Sequence, residues 1–143
     1  MSAFVSVETE FEDVDCIVDA LVAAGFDRTH VEVPAEPVSL VGYHGDVRPQ
    51  KAAVIVRRRH IGRSSNDMGF YKNEKGKYAL WLSQADHSLV PHHLGMKNKD
   101  ELVGRLKQGY AEAKVSKAAK AGHWGMKKTK VGGKVVLTLS KWA

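Results

Sequence analysis

The alternation of apolar and polar positions predicts that the chain begins with a strand and continues into a helix. Apolar and polar residues alternate over Phe4–Thr9, as in a half-buried strand, although Phe4 is out of phase with the two valines after it. A helical spacing of one apolar face follows, at Val14, Ile17, Val18 and Leu21. We expect Asp13 to cap this helix and Gly25 to end it.

The middle of the chain predicts several short strands separated by turns. Prolines separate two of them, His30–Val33 and Val38–Tyr43, and Gly45–Pro49 is predicted to be a turn or loop. The segment Ala52–His60 has the strongest strand pattern because three branched apolar residues form its centre. A further hairpin is predicted where two apolar runs flank the polar segment 73–77.

The last third predicts a long helix and a final hairpin, after a stretch at 84–97 without a regular pattern. Asp100 can cap a helix that runs to about Ala121. Its predicted apolar stripe consists of Val103, Leu106, Tyr110, Ala111, Val115 and Ala118. Two strands, Trp124–Lys130 and Lys134–Trp142, then flank a pair of glycines. The order of elements predicts a single α+β domain over 1–143, an antiparallel sheet with two helices packed on one face, of ferredoxin-like character.

Composition excludes several classes of protein. The 143 residues contain no apolar run long enough to cross a bilayer, and the first eight residues lack the pattern of a secretory signal. Cys16 is the only cysteine, which excludes an intrachain disulfide and a four-cysteine zinc site. We therefore expect a protein of a reducing compartment, the cytoplasm, with no membrane partner.

Charge is sorted by position along the chain. Residues 1–50 hold ten acidic and two basic side chains. Residues 51–96 hold three acidic and eight basic side chains, and residues 97–143 hold three acidic and twelve basic side chains. The three balances are −8, +5 and +9, which give the net charge of +6. Such a distribution either folds against itself or leaves a positive face that attracts polyanions.

Four segments together resemble a known family: residues 1–4, Lys51–Gly62, Ser65–Phe70, and Arg105–Ala111 with Val115. On these segments the chain resembles the uncharacterised family typified by hypothetical chloroplast reading frame thirty-five, which bacteria and phages also carry. The resemblance implies an intracellular single-domain protein, often encoded near AAA-type ATPases, and it implies no activity, cofactor or catalytic residue. The stretch 85–98 departs from the family pattern and is predicted to be an inserted loop.

One candidate site is a set of arginines at the end of the strongest predicted strand: Arg57, Arg58, Arg59 and Arg63. Guanidinium groups bind phosphates and carboxylates with two hydrogen bonds, so this set predicts an anion-binding edge. Strand alternation would place Arg57 and Arg59 on one face, with Arg58 and His60 on the other. Alternatively, these arginines pair with Asp67, with Asp46 or with the acidic first helix.

A second basic set follows in the last helix and hairpin: Lys114, Lys117, Lys120, Trp124, Lys127, Lys128 and Lys130. The first three follow one stripe of the helix, and the indole of Trp124 could stack on nucleobases. This set is the strongest nucleic-acid candidate. The alternative is a solvated lysine surface with Trp124 in the core.

Two further groups of residues are weaker candidates for a site. Asp86, His87, His92 and His93 are suitable metal ligands, but adjacent histidines rarely bind one ion, so we expect exposed imidazoles and no metal or cofactor. His60 and Asp67 could perform acid–base chemistry if they face one pocket, although Asp67 is more typical of a turn cap.

The sequence therefore predicts a non-catalytic accessory protein whose basic face binds a polyanion such as nucleic acid or a ribonucleoprotein. The alternative is an adaptor that docks on a larger protein machine such as an AAA-type ATPase.

Overall fold

The computed structural model describes residues 3–121, 124–131 and 134–141, and in the last two ranges it describes only the backbone. Two short 3-10 turns, at Arg28–His30 and Arg58–His60, accompany the regular elements. The strands and helices are β1 Phe4–Phe11, α1 Val14–Ala24, β2 Val31–Glu32, β3 Val38–Val41, β4 Val47–Ala52, β5 Val54–Val56, β6 Met68–Lys72, β7 Tyr78–Ser83, α2 Asp86–His93, α3 Lys99–Ala121, β8 Trp124–Val131 and β9 Lys134–Lys141.

The principal sheet has the strand order β1-β7-β6-β5-β2, and each neighbouring pair is antiparallel. The other strands form two separate antiparallel ribbons, β3–β4 and β8–β9. Helices α1 and α3 cover one face of the sheet, where Ile17, Leu21, Phe70, Leu80 and Leu106 are almost inaccessible to solvent. Full burial of each such side chain contributes about 1.5–3 kcal/mol. The predicted α+β class is confirmed.

Helix α1 begins and ends at the expected residues. The Asp13 carboxylate accepts a hydrogen bond from the Cys16 amide at 3.3 Å, which satisfies one orphan donor of the first turn. Gly25 follows the helix at φ 126°, a conformation that side chains disfavour, and its amide donates to the carbonyls of Leu21 and Val22. Cys16 is buried on the core side of this helix, and burial raises the pKa of its thiol.

Helix α3 differs from its prediction at its cap and on its buried face. The cap is Asn98, whose side-chain oxygen accepts from the Glu101 amide at 3.0 Å; Asp100 lies inside the helix. The buried positions are Leu102, Leu106, Gly109 and Ala119, while four members of the predicted stripe (Val103, Ala111, Val115 and Ala118) retain solvent exposure. A Cβ atom on Gly109 would lie 3.1 Å from the Cα atom of Ala20, so this glycine allows α1 and α3 to approach closely.

The β3–β4 ribbon packs on the opposite face of the sheet. Leu40 and Ala52 lie there against Phe4 and Ile55, with Trp81 partly buried beside them. This second cluster explains why Phe4 is out of phase with Val5 and Val7: its side chain belongs to the face away from the helices. Strand β4 starts within the loop predicted over Gly45–Pro49, because it begins at Val47 and passes through Pro49.

Two further predictions are corrected. The strand predicted over 52–60 is divided, since β4 ends at Ala52, β5 covers only three residues and Arg58–His60 forms a helical turn. Alternation therefore does not sort the arginines onto two faces. The loop predicted over 85–98 contains helix α2, whose Pro91 lies inside the helix and whose C-terminal carbonyls bind the amides of Leu94 to Met96.

Candidate functional site

A buried polar cluster joins the ends of β3, β5 and β7 to the start of α2. Its members, hereafter the polar junction, are Ser65, Asn66, Asp67, Ser83 and Asp86. Each is at most 1% exposed, although all five side chains belong to types that are mostly exposed in folded proteins. Buried polar groups are costly unless they are hydrogen-bonded, so the partners of this cluster decide what it does.

The Asp67 carboxylate accepts three hydrogen bonds from two chain segments. Oδ2 accepts from the Val41 amide and from Arg57 Nη1, each at 2.8 Å, and Oδ1 accepts from the Arg58 amide at 2.7 Å. The Asp67 amide in turn donates to the Val41 carbonyl at 2.9 Å. Asp67 thus attaches the end of β3 to the chain that leaves β5.

Asn66 and Asp86 complete the cluster with neutral partners. The Asn66 side chain accepts from the Tyr43 amide at 3.0 Å and donates to the Ser83 hydroxyl at 2.8 Å. The Asp86 carboxylate accepts from the Ser65 hydroxyl at 3.0 Å and from the Asn66 amide at 3.1 Å. Burial raises the pKa of Asp86, and within 3–121 this carboxylate forms no ion pair.

Stability should therefore depend on pH through Asp86. Since its folded-state pKa lies above the ordinary value of 3.8, the native chain binds more protons than the unfolded chain in the window between them. This contribution to stability is present at low pH and is lost as pH rises through the folded pKa. We expect Asp86→Asn to lose less stability, relative to the wild type, at neutral pH than near pH 4.

Urea unfolding of both proteins between about pH 4 and pH 8 measures this difference. Carboxylates with lowered pKa values make stability rise with pH, the opposite of the effect of Asp86. Asp13 is one of them, because the hydrogen bond from Lys117 lowers its pKa. These contributions are the same in the wild type and the variant, so they cancel in the difference between the two. A free-energy difference that stays constant over this range would contradict the assignment.

The segment Asn66–Phe70, which carried much of the family resemblance, has a structural role. Gly69 lies under the β3–β4 ribbon, where a Cβ atom would come within 2.6 Å of the Ala52 Cβ atom. Phe70 is fully buried on the helix side of the sheet. The segment therefore fixes the ribbon to the sheet and leaves no free group of Asp67 for catalysis.

The four arginines of the first predicted site differ in availability. Arg57 pairs with Asp67 at 2.8 Å and with Glu32 at 3.1 Å. The Arg58 guanidinium donates to the backbone carbonyls of Ser65 and Arg63, at 3.0 and 2.7 Å. The pairing of Arg57 with Asp67 is one that the alternative interpretation predicted, whereas Arg58 is engaged by carbonyls instead of acids. The Arg59 and Arg63 side chains are exposed.

His60 and Asp67 do not form an acid–base pair. Within the described part of the chain no hydrogen bond joins them, and His60 stacks on His30 with ring centroids 3.8 Å apart. Burial lowers the pKa of His60, and the neighbouring His30 and Arg59 lower it further. Because Asp67 already accepts from Arg57 and two amides, the enzyme interpretation loses its geometric basis.

The lysines of α3 lie at the other end of the helical layer from the arginines. Lys117 binds Asp13, the cap of α1, at 2.6 Å, which raises the pKa of Lys117. The arginines come directly after β5. The last residue of β5, Val56, pairs with Val31 in β2, and β2 follows the C-terminal end of α1, so the arginines lie near that end of the helix. Lys114 and Lys120 are exposed. The two basic sets therefore do not form one continuous site.

The other predicted members, Trp124, Lys127, Lys128 and Lys130, have side chains outside the described residues, while their backbone forms β8. Strands β8 and β9 pair with each other in a ribbon separate from the principal sheet. Residues 122–143 contain five lysines and no acidic residue, which accounts for +5 of the net charge of +6. Residues 1–121 therefore carry only +1, and the ribbon segment carries almost all the excess.

The three histidines of 85–98 all belong to helix α2. His92 and His93 are exposed, and burial lowers the pKa of His87, with a smaller effect of Lys99. Across 3–121, no group of three His, Cys, Asp or Glu side chains is arranged to hold a metal ion.

Sequence reasoning missed Ser83 and Asp86 as members of the polar junction. Asp86 was considered only as a metal ligand, and Ser83 stands at the end of an ordinary apolar strand pattern. A local signal was present in the spacing Ser83-x-x-Asp86 before a helix, since the Asp86 amide donates to the Ser83 hydroxyl at 3.2 Å. Their other partners, Ser65 and Asn66, are 17 to 21 positions away in the chain, and no local pattern marks those contacts.

The chain belongs to the family described as "Protein of unknown function (DUF1257)", whose model matches residues 26–138. Neither the curated proteins nor the solved structures contain a match. A search of the described helices found none with the length and apolar character needed to span a membrane.

Proposed function

We propose that this protein is a non-catalytic accessory protein of the cytoplasm that binds a polyanion, nucleic acid or ribonucleoprotein, through the β8–β9 ribbon. The kinship with the reading frame thirty-five branch, with its bacterial, plastid and phage members, is part of this proposal. The observation that carries it is the concentration of five lysines and no acids in residues 122–143.

The charges in the rest of the chain favour the β8–β9 ribbon, rather than the arginine set, as the polyanion-binding site. Arg57 is neutralised by Asp67 and Glu32, and Lys117 by Asp13. Local self-neutralisation leaves little long-range field around the body, whereas like charges on one ribbon add and attract phosphates. A two-stranded antiparallel ribbon also has dimensions that the major groove of duplex DNA accepts.

Fluorescence anisotropy with labelled duplex DNA, single-stranded DNA and RNA, at several salt concentrations, tests the proposal. The triple variant Lys127→Gln, Lys128→Gln and Lys130→Gln is expected to bind about tenfold more weakly at low salt. The slope of log affinity against log salt should fall by about 0.9 for each lysine that contacts a phosphate of a duplex.

The matched control replaces three exposed lysines of the body, Lys75, Lys97 and Lys107, with glutamine, which changes the net charge by the same amount. We expect this control to keep most of the affinity. Equal weakening by the two triple variants, or no complex with any of the three nucleic acids at low salt, would overturn the proposal.

A further inference from the structure

A cleft of about 470 Å³ lies at the end of the principal sheet where β5 begins and β6 ends. Its wall is mostly apolar and includes Val33, Pro34, Pro37, Ala53, Tyr71 and Tyr78. Lys51 and Lys72, both exposed, also line it, and the described residues contribute no acidic side chain to its lining. The volume is within the range of about 300–1,000 Å³ that is common for small-molecule sites.

The cleft exists because the sheet is short at this edge. Strand β2 contains two residues and β5 three, so the longer β6 and the segment after β2 extend past them. Pro34 and Pro37 hold that segment with restricted φ angles and without amide donors. The segment after β2 therefore borders one side of the opening with backbone of restricted conformation.

Exposed apolar side chains are concentrated beside this cleft. Val33 is 51% exposed and Val38 is 39% exposed. Among the described residues, one other large apolar side chain is exposed, that of Val47, and it lies at the far end of the β3–β4 ribbon. A partner protein would need about 800 Å² on this chain, with an apolar centre. The apolar surface here is instead concave and confined, which favours a small ligand.

We propose that this cleft binds a small amphiphilic anion, with an apolar ring or chain against Tyr71 and Tyr78 and an anionic group beside Lys51 and Lys72. Aromatic and proline side chains provide apolar contact at little cost in conformational entropy. The two ammonium groups supply the attraction for a carboxylate, sulfonate or phosphate. This site is independent of the polyanion site on the ribbon.

The probe is 8-anilinonaphthalene-1-sulfonate, whose fluorescence rises in apolar surroundings, titrated into the full-length chain. We expect saturable binding of one molecule and displacement by decanoate. Ala53→Phe, which fills the cleft without removing a charge, is expected to weaken binding at least about tenfold. Val33→Asp, at a half-exposed position that tolerates substitution, should weaken it comparably because it places a carboxylate at the opening.

Charge is tested separately from shape. The double variant Lys51→Gln and Lys72→Gln should weaken binding by about threefold to tenfold and make it less sensitive to salt. The control is Lys75→Gln in the neighbouring β6–β7 turn, which lies outside the lining and should bind as the wild type does. Circular dichroism establishes that each variant is folded.

Three results would overturn the proposal. One is the absence of probe binding to the wild type, and another is binding that survives both Ala53→Phe and Val33→Asp but disappears with the Lys127, Lys128 and Lys130 triple variant. The third is displacement by an acidic peptide such as Glu-Glu-Phe-Glu-Glu but not by decanoate, which would indicate a protein-docking surface. Nucleic-acid affinity should be unchanged in the cleft variants, so this site and the ribbon can fail independently.

Discussion

Replacement of Asp67 by alanine is expected to lower the free energy of unfolding by about 3 kcal/mol. The change leaves Arg57, whose side chain is 19% exposed, without its buried partner, and it also removes the acceptor of the Val41 and Arg58 amides. Loss of one partner of a buried ion pair costs about 3–5 kcal/mol. The lower end applies here because Arg57 keeps its contact with Glu32.

Asp19→Ala is the matched control. Asp19 pairs with Arg28 at 2.6 Å, but both side chains are about half exposed, and such pairs contribute at most about 1 kcal/mol. Urea denaturation at neutral pH measures the loss of unfolding free energy in both variants. The comparison requires that the free energy depends on urea concentration with the same slope in the two variants. A cost for Asp67→Ala no greater than that of Asp19→Ala would show that the polar junction does not hold the β3–β4 ribbon.

Gly69→Ala is expected to cost about 2 kcal/mol, although it adds a single methyl group. The new Cβ atom would lie 2.6 Å from the Ala52 Cβ atom and 2.8 Å from the Val54 carbonyl oxygen. Ala52 belongs to the β3–β4 ribbon and Val54 to β5 of the principal sheet, so relief requires the ribbon to move away from the sheet and the β5–β6 pair to shift. The thermal midpoint should fall, and amide exchange in β3 should become faster.

Gly104→Ala is the opposite case in the same chain. Gly104 lies exposed within α3, and a Cβ atom there would meet nothing within 4 Å. Because alanine favours helix more than glycine, this variant should gain up to about 1 kcal/mol. A Gly69→Ala variant that is as stable as the wild type, or that gains stability as Gly104→Ala is expected to, would contradict the steric explanation for Gly69.

These two predictions bear on function because they assign the segment Asn66–Phe70 to architecture. A segment whose side chains are buried and fully engaged explains a shared fold, not a shared ligand. The two binding sites that we propose, the ribbon lysines and the cleft at the sheet edge, do not use this segment.

Local sequence patterns predicted most elements correctly for physical reasons that act over a few residues. The caps of α1 depend on Asp13 and Gly25 alone, and the 73–77 turn depends on its own polar residues. On the buried face of α3 only Leu106 was predicted; Gly109 was missed because it has no apolar side chain, although it lies against Ala20 of α1. The prediction of one strand over 52–60 was wrong, because the Arg58 amide donates to Asp67 and the chain turns there.

The sequence by itself determined the α+β class, the two ends of helix α1 and the basic character of the C-terminal segment. These follow from periodicity, from capping residues and from the count of charged residues. Tertiary structure alone decided which charges are neutralised: Arg57 by Asp67 and Glu32, and Lys117 by Asp13 across 104 positions of chain. It also decided that His60 stacks on His30 instead of meeting Asp67. The reason is that ion pairs and buried hydrogen bonds depend on distances of about 3 Å between distant segments, and no local pattern encodes such distances.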